Sequence, residues 1–247
     1  QVNPHIHSKY QHGIYFPHIA NVRNPRVLQS ITTYLKQHPK VQFHEHCPIQ
    51  KLNIQNNKIS SITDDSGQKH LADEYVLATG AWSKHWAEQL NLDIPVAPIQ
   101  GQMVLFKTPE NWLPTMCMNK VMYLIPRNDG HIVCGSSMRN VGFNITPNEA
   151  VKHNILDACF DMVPELANFP IVHEWAGLRP SSPNGIPYIG KMPELNNLWA
   201  NFGHFRNGLC MGATSARLLR QLMLNQTTIE DAKPYSPQHL TQMDFAY

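Results

Sequence analysis

The sequence predicts a mixed α+β protein whose sheet is largely antiparallel and flanked by helices. Three observations lead there. Short apolar segments outnumber amphipathic ones of helical period. Two pairs of these segments flank turn sequences of hairpin type, Asn56-Asn57 and Asn128-Asp129-Gly130. No regular alternation of strand and crossover helix runs through the chain, as a doubly wound α/β sheet would require.

Taken in order, residues 1–20 are rich in histidine and aromatics around Gly13-Ile14-Tyr15-Phe16-Pro17 and read as a strand and turn. Residues 21–36 read as a helix, with Asn24 as N-cap, Pro25 at the first position and Val27, Leu28, Ile31, Tyr34 and Leu35 on one apolar face. Val41 to Phe43 reads as a strand followed by His44-Glu45-His46. Residues 52–54 and 59–62 form a hairpin about the asparagine pair. Tyr75 to Thr79, closed by Gly80, has the continuous apolar pattern of a strand buried on both faces. A helix over 82–90 follows, then a strand over 102–107 and a second hairpin of 121–126 with 131–136. Thr146-Pro147-Asn148-Glu149 reads as a capping box that opens a helix running to about Met162, closed by Pro164. From Thr228 onward the chain is polar, carries two prolines and reads as a loose tail.

Composition narrows the function classes. At 247 residues and 42% hydrophobic, the chain can bury a sizeable core in one or two domains. A formal charge of +2 provides no basic field for nucleic acid. No apolar run approaches the ~20 residues that cross a bilayer, so no membrane span is expected. Five scattered cysteines without a C-x-x-C pair read as reduced thiols of a cytoplasmic protein.

The stretch from Trp175 to Leu222 carries the chemistry. Arg179 stands between Leu178 and Pro180 in an apolar segment, and the turn Ser182-Pro183-Asn184-Gly185 follows. Leu198 to Phe202 reads as a short buried strand, and Gly203-His204-Phe205-Arg206-Asn207-Gly208 leads from it directly into a helix. The first N–H groups of a helix lack partners within it and its dipole is positive there, so this junction suits negative charge. Gly208, Gly212 and Ala216, four apart, let a flat ligand or another backbone approach the helix.

The motifs WAGLRPSSPNGIPYIG and GHFRNG, at this separation, closely resemble the glycine oxidases, FAD enzymes of thiamine biosynthesis within the D-amino-acid oxidase and dehydrogenase family. The resemblance extends more weakly from about Gly13 to about Asn225. It implies a substrate-binding domain formed by residues 1–20 and 86–184, part of an FAD-binding domain formed by 21–85 and 185–230, and a C-terminal tail over 231–247. It also implies a homo-oligomer.

One element of that family is missing. No two glycines are separated by a single residue, so the G-x-G-x-x-G turn that holds a dinucleotide pyrophosphate cannot occur. In the resembled family it lies near the N-terminus, so the resemblance implies the C-terminal two-thirds of a flavoenzyme, without the N-terminal FAD-binding segment. FAD is the expected cofactor, and its retention by this chain alone is an open question.

The resemblance assigns roles residue by residue. Arg179 becomes the bidentate clamp on the substrate carboxylate, a task that suits a planar guanidinium; from the residues alone, a structural ion pair is the other reading. Tyr123, on the apolar run 121–125, would add a phenol hydrogen bond to that carboxylate, or else be a core tyrosine. Arg206 would stand close to flavin and substrate, and Met138 would line the substrate pocket. His204, Phe205, Asn207, Gly208, Leu209 and Cys210 would meet the cofactor mainly through backbone N–H groups. Ile49, after Glu45-His46-Cys47-Pro48, would lie on the loop at the adenine end. His44 and His46 could seed a metal site, but no third ligand is evident from spacing and they read as surface histidines; no metal is expected. The implied reaction oxidises glycine or another small amino acid. Hydride passes from the α-carbon to flavin N5, and the imine hydrolyses to a 2-oxo acid and ammonia. Two alternatives stand beside it, an amino-acid dehydrogenase passing electrons to a quinone and a non-catalytic, flavin-free fragment.

Overall fold

Residues 2–240 are described by a computed structural model. They divide into two units. A sheet unit comprises the chain up to Asn21 together with Pro98–Leu178, and a meander unit comprises Val22–Ala97 and the chain from Arg179 onward. Residues 86–97 and 179–184, expected with the substrate-binding segments, cluster with the meander unit. Trp86, Ala87, Ile94 and Val96 bury themselves in one core with Tyr188, Leu198 and Phe202.

The meander unit opens with α1 (Asn24–Lys36), whose N-cap is Arg23 and not Asn24. Its expected apolar face does not enter a core: Leu28, Ile31 and Tyr34 are 64%, 50% and 70% exposed. No strand forms over 41–43, where the Val41 N–H turns back to the His38 carbonyl at 3.0 Å. β1 (Ile49–Gln55) and β2 (Lys58–Asp64) pair antiparallel, and β3 (Lys69–His70) extends the meander. Asn56 and Asn57 both adopt positive φ, 51° and 58°, which gives the tight turn the asparagine pair favours. β4 (Tyr75–Leu77) buries Tyr75 and Leu77 but leaves Val76 44% exposed, so it is covered on one face and not on both. Successive side chains of a strand point to opposite faces of its sheet, and the face that carries Val76 is left uncovered by the described residues. A 3₁₀ turn at Gly80–Trp82 and α2 (Ser83–Gln89) follow.

The sheet unit is built on β5 (Ala97–Lys107), β6 (Cys117–Met118), β7 (Tyr123–Pro126) and β8 (His131–Gly135), with β9 (Ile171–Ser181) beside β5, in the order β6-β7-β8-β5-β9. The Asn128-Asp129-Gly130 hairpin forms as expected, with Gly130 at φ 76°. α3 (Glu149–Met162) packs Ile155, Cys159 and Met162 against Val104, Phe106, Leu124 and Cys134. Its N-cap is Asn148, not Thr146: the Asn148 side chain accepts the Val151 N–H at 3.1 Å. Buried Gln102 holds that cap by accepting the Asn148 N–H at 2.9 Å and donating to its carbonyl at 3.1 Å. The N-terminal segment contains turns and no strand. Its polar groups find partners elsewhere: the His7 N–H donates to the Met162 carbonyl at 2.9 Å, and the His5 ring stacks on Trp112.

Returning to the meander unit, β10 (Tyr188–Lys191) pairs antiparallel with β11 (Leu198–Phe202), which pairs parallel with β4. α4 (Gly208–Met223) covers this sheet through Leu218 and Leu219 against Ile189. The expected loose tail is docked as far as it is described: Tyr235 packs on that cluster and α5 (Pro237–Leu240) begins at a buried proline beside Gly190. Residues 241–247 of the expected tail lie outside the described residues.

Candidate functional site

Arg179 lies in β9, half-buried, two residues before the strand ends at Ser181. The turn that follows needs Asn184 and Gly185 at positive φ, 54° and 69°, and delivers the chain into β10. β11 then runs back and ends at Gly203, where φ is +79°. A side chain at this position would meet Tyr188 Cδ2 at 3.0 Å and Ser182 Cβ at 3.3 Å, so only glycine lets the strand turn against the buried tyrosine. Two hydrogen bonds join the arginine segment to the glycine loop. Ser182 Oγ donates to the Gly203 carbonyl at 2.6 Å, and the Phe205 N–H donates to the Pro180 carbonyl at 2.9 Å. Arg179 and the loop 203–208 are thereby neighbours through their backbones.

The loop leads into α4 without a side-chain cap. Asn207 makes no capping bond, and the first turn of the helix presents N–H groups with no partner inside it. Arg206, Asn207, Leu209 and Cys210 are exposed. Gly212 has open space where a side chain would stand, so the helix face near its start is not packed against another backbone. Ala216 is exposed as well.

His204 is fixed by its side chain and not only by its backbone. His204 Nε2 lies 3.0 Å from Ser215 Oγ, and Ser215 is buried. Sequence reasoning missed Ser215 and Ser182; the available signal was the spacing of Ser215 seven residues after Gly208, on the same face of the helix. Burial holds the His204 imidazole below its ordinary value of 6.5. Below that pH the unfolded chain takes up the proton more readily than the folded one, so folding stability falls as the solution is acidified and levels off above it. Urea midpoints followed from pH 7.5 down to about 5.5 test this. The decline expected in the wild type shrinks in His204→Gln, and an identical decline in both proteins removes His204 as its source.

The other expected residues divide between the units. Ile49 starts β1 and packs against the meander core. Tyr123 begins β7, opposite Gly135 of β8, which in turn faces Met103 of β5. The Tyr123 hydroxyl donates to Met103 Sδ at 3.4 Å, a weak acceptor. Met138 follows β8 and is 52% exposed. In the sheet unit a cavity of about 670 Å³ lies under the N-terminal segment, with Asn3, His7, Tyr10 and Asn119 among its walls; neither Tyr123 nor Met138 lines it. Cys210 lines a small cavity of about 150 Å³ with Ser215 and Tyr235.

These residues fit one end of a flavin nucleotide. The glycine loop leads into an uncapped helix start whose N–H groups and dipole suit an electron-rich or anionic group, with open space at Gly212 one turn further on. They do not supply the glycine turn for the pyrophosphate, which the sequence lacks.

Residues 1–222 match the FAD dependent oxidoreductase (DAO) family, and the chain belongs to it. It is 41% identical to glycine oxidase of Pseudomonas putida over 229 residues, covering 93% of this chain and 62% of that protein. It is 39% identical to glycine oxidase of Pseudomonas aeruginosa over 234 residues, covering 95% of this chain and 64% of that protein. The fold matches the crystal structure of glycine oxidase from Geobacillus kaustophilus with a TM-score of 0.75 at 24% identity, covering 81% of this chain and 53% of that one. The chain thus spans less than two thirds of the length of these relatives. Among the described residues no helix is long and apolar enough to cross a membrane.

Proposed function

We propose that this chain supplies the substrate-binding side and the flavin-ring side of an FAD-dependent oxidase of glycine or another small amino acid. The observation that carries this reading is the Phe205–Pro180 hydrogen bond, which sets Arg179 beside the loop that opens α4. The two Pseudomonas relatives, both named glycine oxidase, support the substrate class.

In this reading Arg179 grips the substrate carboxylate through two parallel hydrogen bonds, and that fixes orientation as well as position. Tyr123 exchanges its weak thioether contact for the stronger carboxylate acceptor. Arg206 keeps a positive charge near the reacting centre, and Met138 gives the substrate an apolar neighbour. The first turn of α4, Gly208 to Cys210, offers backbone N–H groups to the cofactor. His204, Phe205 and Asn207 shape the loop before it, the latter two with N–H groups bonded to the Pro180 and His204 carbonyls. Ile49, the first residue of β1, follows the loop directed toward the adenine end. When bound, FAD supplies the hydride acceptor. The protein's own contribution is orientation: for substrate delivered with its amine neutral, its proton already lost to solvent, a carboxylate held at Arg179 turns the α-carbon to face the acceptor.

A second reading is favoured by a specific observation. On this reading the chain as given does not retain flavin by itself, since no G-x-G-x-x-G turn occurs in it and the apolar face of α1 is exposed. A visible spectrum and an oxygen electrode separate the readings. The oxidase reading expects bound flavin and glycine-dependent oxygen uptake once the chain is joined to a G-x-G-x-x-G segment, and little of either from the chain alone. Dye reduction without oxygen uptake would assign a dehydrogenase, and absence of flavin from the joined protein would overturn the flavin site.

A further inference from the structure

Cys47, Asp64 and His70 converge at one end of the β1–β2–β3 meander. Cys47 lies just before β1, Asp64 ends β2, and His70 ends β3 opposite Ile62. Cys47 Sγ is 3.4 Å from Asp64 Oδ2 and 3.7 Å from His70 Nε2, and those two atoms are 2.8 Å apart. The other carboxylate oxygen is committed elsewhere. Asp64 Oδ1 accepts the Ser66 N–H at 3.0 Å, the Ser66 hydroxyl at 2.6 Å and the Gln68 N–H at 2.9 Å. The 64–68 turn therefore fixes the carboxylate and leaves Oδ2 to the cluster, the kind of outer support that orients metal ligands.

The arrangement is not that of a nucleophile and its base. A thiol–imidazole–carboxylate relay uses one ring nitrogen toward the nucleophile and the other toward the carboxylate. Here the same Nε2 faces both partners, so the three atoms surround a point instead of forming a chain. We propose that Cys47, Asp64 and His70 form a binding site for a borderline-soft divalent cation of the zinc class, with water in the fourth position. Tetrahedral zinc has ligand distances of about 2.3 Å to sulfur, about 2.05 Å to imidazole nitrogen and about 2.1 Å to carboxylate oxygen. These imply separations of roughly 3.6 Å from sulfur to either partner and roughly 3.4 Å from nitrogen to oxygen. The sulfur already stands at both of its separations, and only the imidazole–carboxylate pair must open by about half an ångström. On binding, the Cys47 thiol releases its proton to solvent, His70 gives up the Nε2 proton that it donates in its hydrogen bond to Asp64 and holds its ring proton on Nδ1, and thiolate plus carboxylate neutralise the dication. A thiolate ligand argues against hard cations such as calcium and magnesium. His44, read from the sequence with His46 as a surface histidine and not as a metal ligand, meets the His70 ring edge-on at 5.4 Å and is not one of the three converging groups.

The inference does not depend on flavin binding, so the whole chain as purified serves for the test. After treatment with EDTA and its removal, the protein is titrated with Co²⁺ under argon and then with Zn²⁺. The site predicts a thiolate-to-cobalt charge-transfer band that saturates at one equivalent with micromolar or tighter affinity and is displaced by one equivalent of Zn²⁺. Cys47→Ser abolishes the band, His70→Ala weakens binding roughly tenfold or more, and Cys210→Ser leaves it unchanged. A second readout needs no variant: Zn²⁺ should protect Cys47, but not exposed Cys210, from alkylation followed by peptide mass spectrometry. No band at one equivalent, a band that survives Cys47→Ser, saturation only at millimolar cobalt, or Cys47 alkylation indifferent to Zn²⁺ would each overturn the site.

Discussion

Arg179→Ala in the flavin-loaded protein raises KM for a small amino-acid substrate by about 30-fold, with a smaller change in kcat. The magnitude comes from losing one partner of a hydrogen-bonded charge pair, about 2 kcal/mol at the lower end of the usual range, and from 1.4 kcal/mol per tenfold in affinity. The lower end is appropriate because Arg179 is half-buried and solvent can reach part of the site. A contact to the carboxylate, remote from the bond being broken, acts on ground and transition states alike, and so appears chiefly in KM. Arg179→Lys should recover only part of the loss, since an ammonium keeps the charge but not the planar fork. Steady-state oxygen uptake with glycine gives the answer directly. A KM unchanged in Arg179→Ala would remove this residue from the carboxylate site.

Gly203→Ala is expected to cost the fold about 2–5 kcal/mol. The residue sits at φ +79°, where an L side chain costs about 1–2 kcal/mol. The new methyl would stand 3.0 Å from Tyr188 Cδ2 and 3.3 Å from Ser182 Cβ, and Tyr188 is fully buried and cannot retreat. Overpacking of this kind adds about 1–3 kcal/mol, for a total loss of roughly 2–5 kcal/mol in urea unfolding. The damage is local to the loop that carries His204 to Gly208. Gly212→Ala is the internal control: it has open space and ordinary helical backbone, so replacing glycine there gains about 1 kcal/mol of helix propensity. Equal stabilities for wild type and Gly203→Ala would mean that the turn at the end of β11 tolerates a side chain.

The elements legible in the sequence share a cause. The Asn56-Asn57 hairpin, the Asn128-Asp129-Gly130 hairpin, β11 and α4 are each specified by a turn residue or an apolar run inside a window of ten or so residues. Elements that depended on distant partners were not legible in the same way. Val41 to Phe43 has strand composition but no strand to pair with, and α1 has an apolar face that the described structure does not cover. Residues 228–240 look polar, yet Tyr235 and Pro237 dock on β10 because two well-placed apolar contacts suffice to hold a short segment. The cap of α3 moved from Thr146 to Asn148 because Gln102, some forty-six residues earlier, holds that backbone.

By itself the sequence determined the α+β class, the strand–loop–helix from Leu198 to Met223 and the family to which its two motifs belong, because local propensity and contiguous motifs survive without tertiary context. Only the tertiary structure decided that Pro180 and Phe205 hold Arg179 against the helix-opening loop, that Ser215 secures His204, and that Cys47, Asp64 and His70 meet at one point. The physical reason is the same in each case: such contacts join residues many positions apart, and the hydrogen bonds and close packing that select them exist only once the chain has folded.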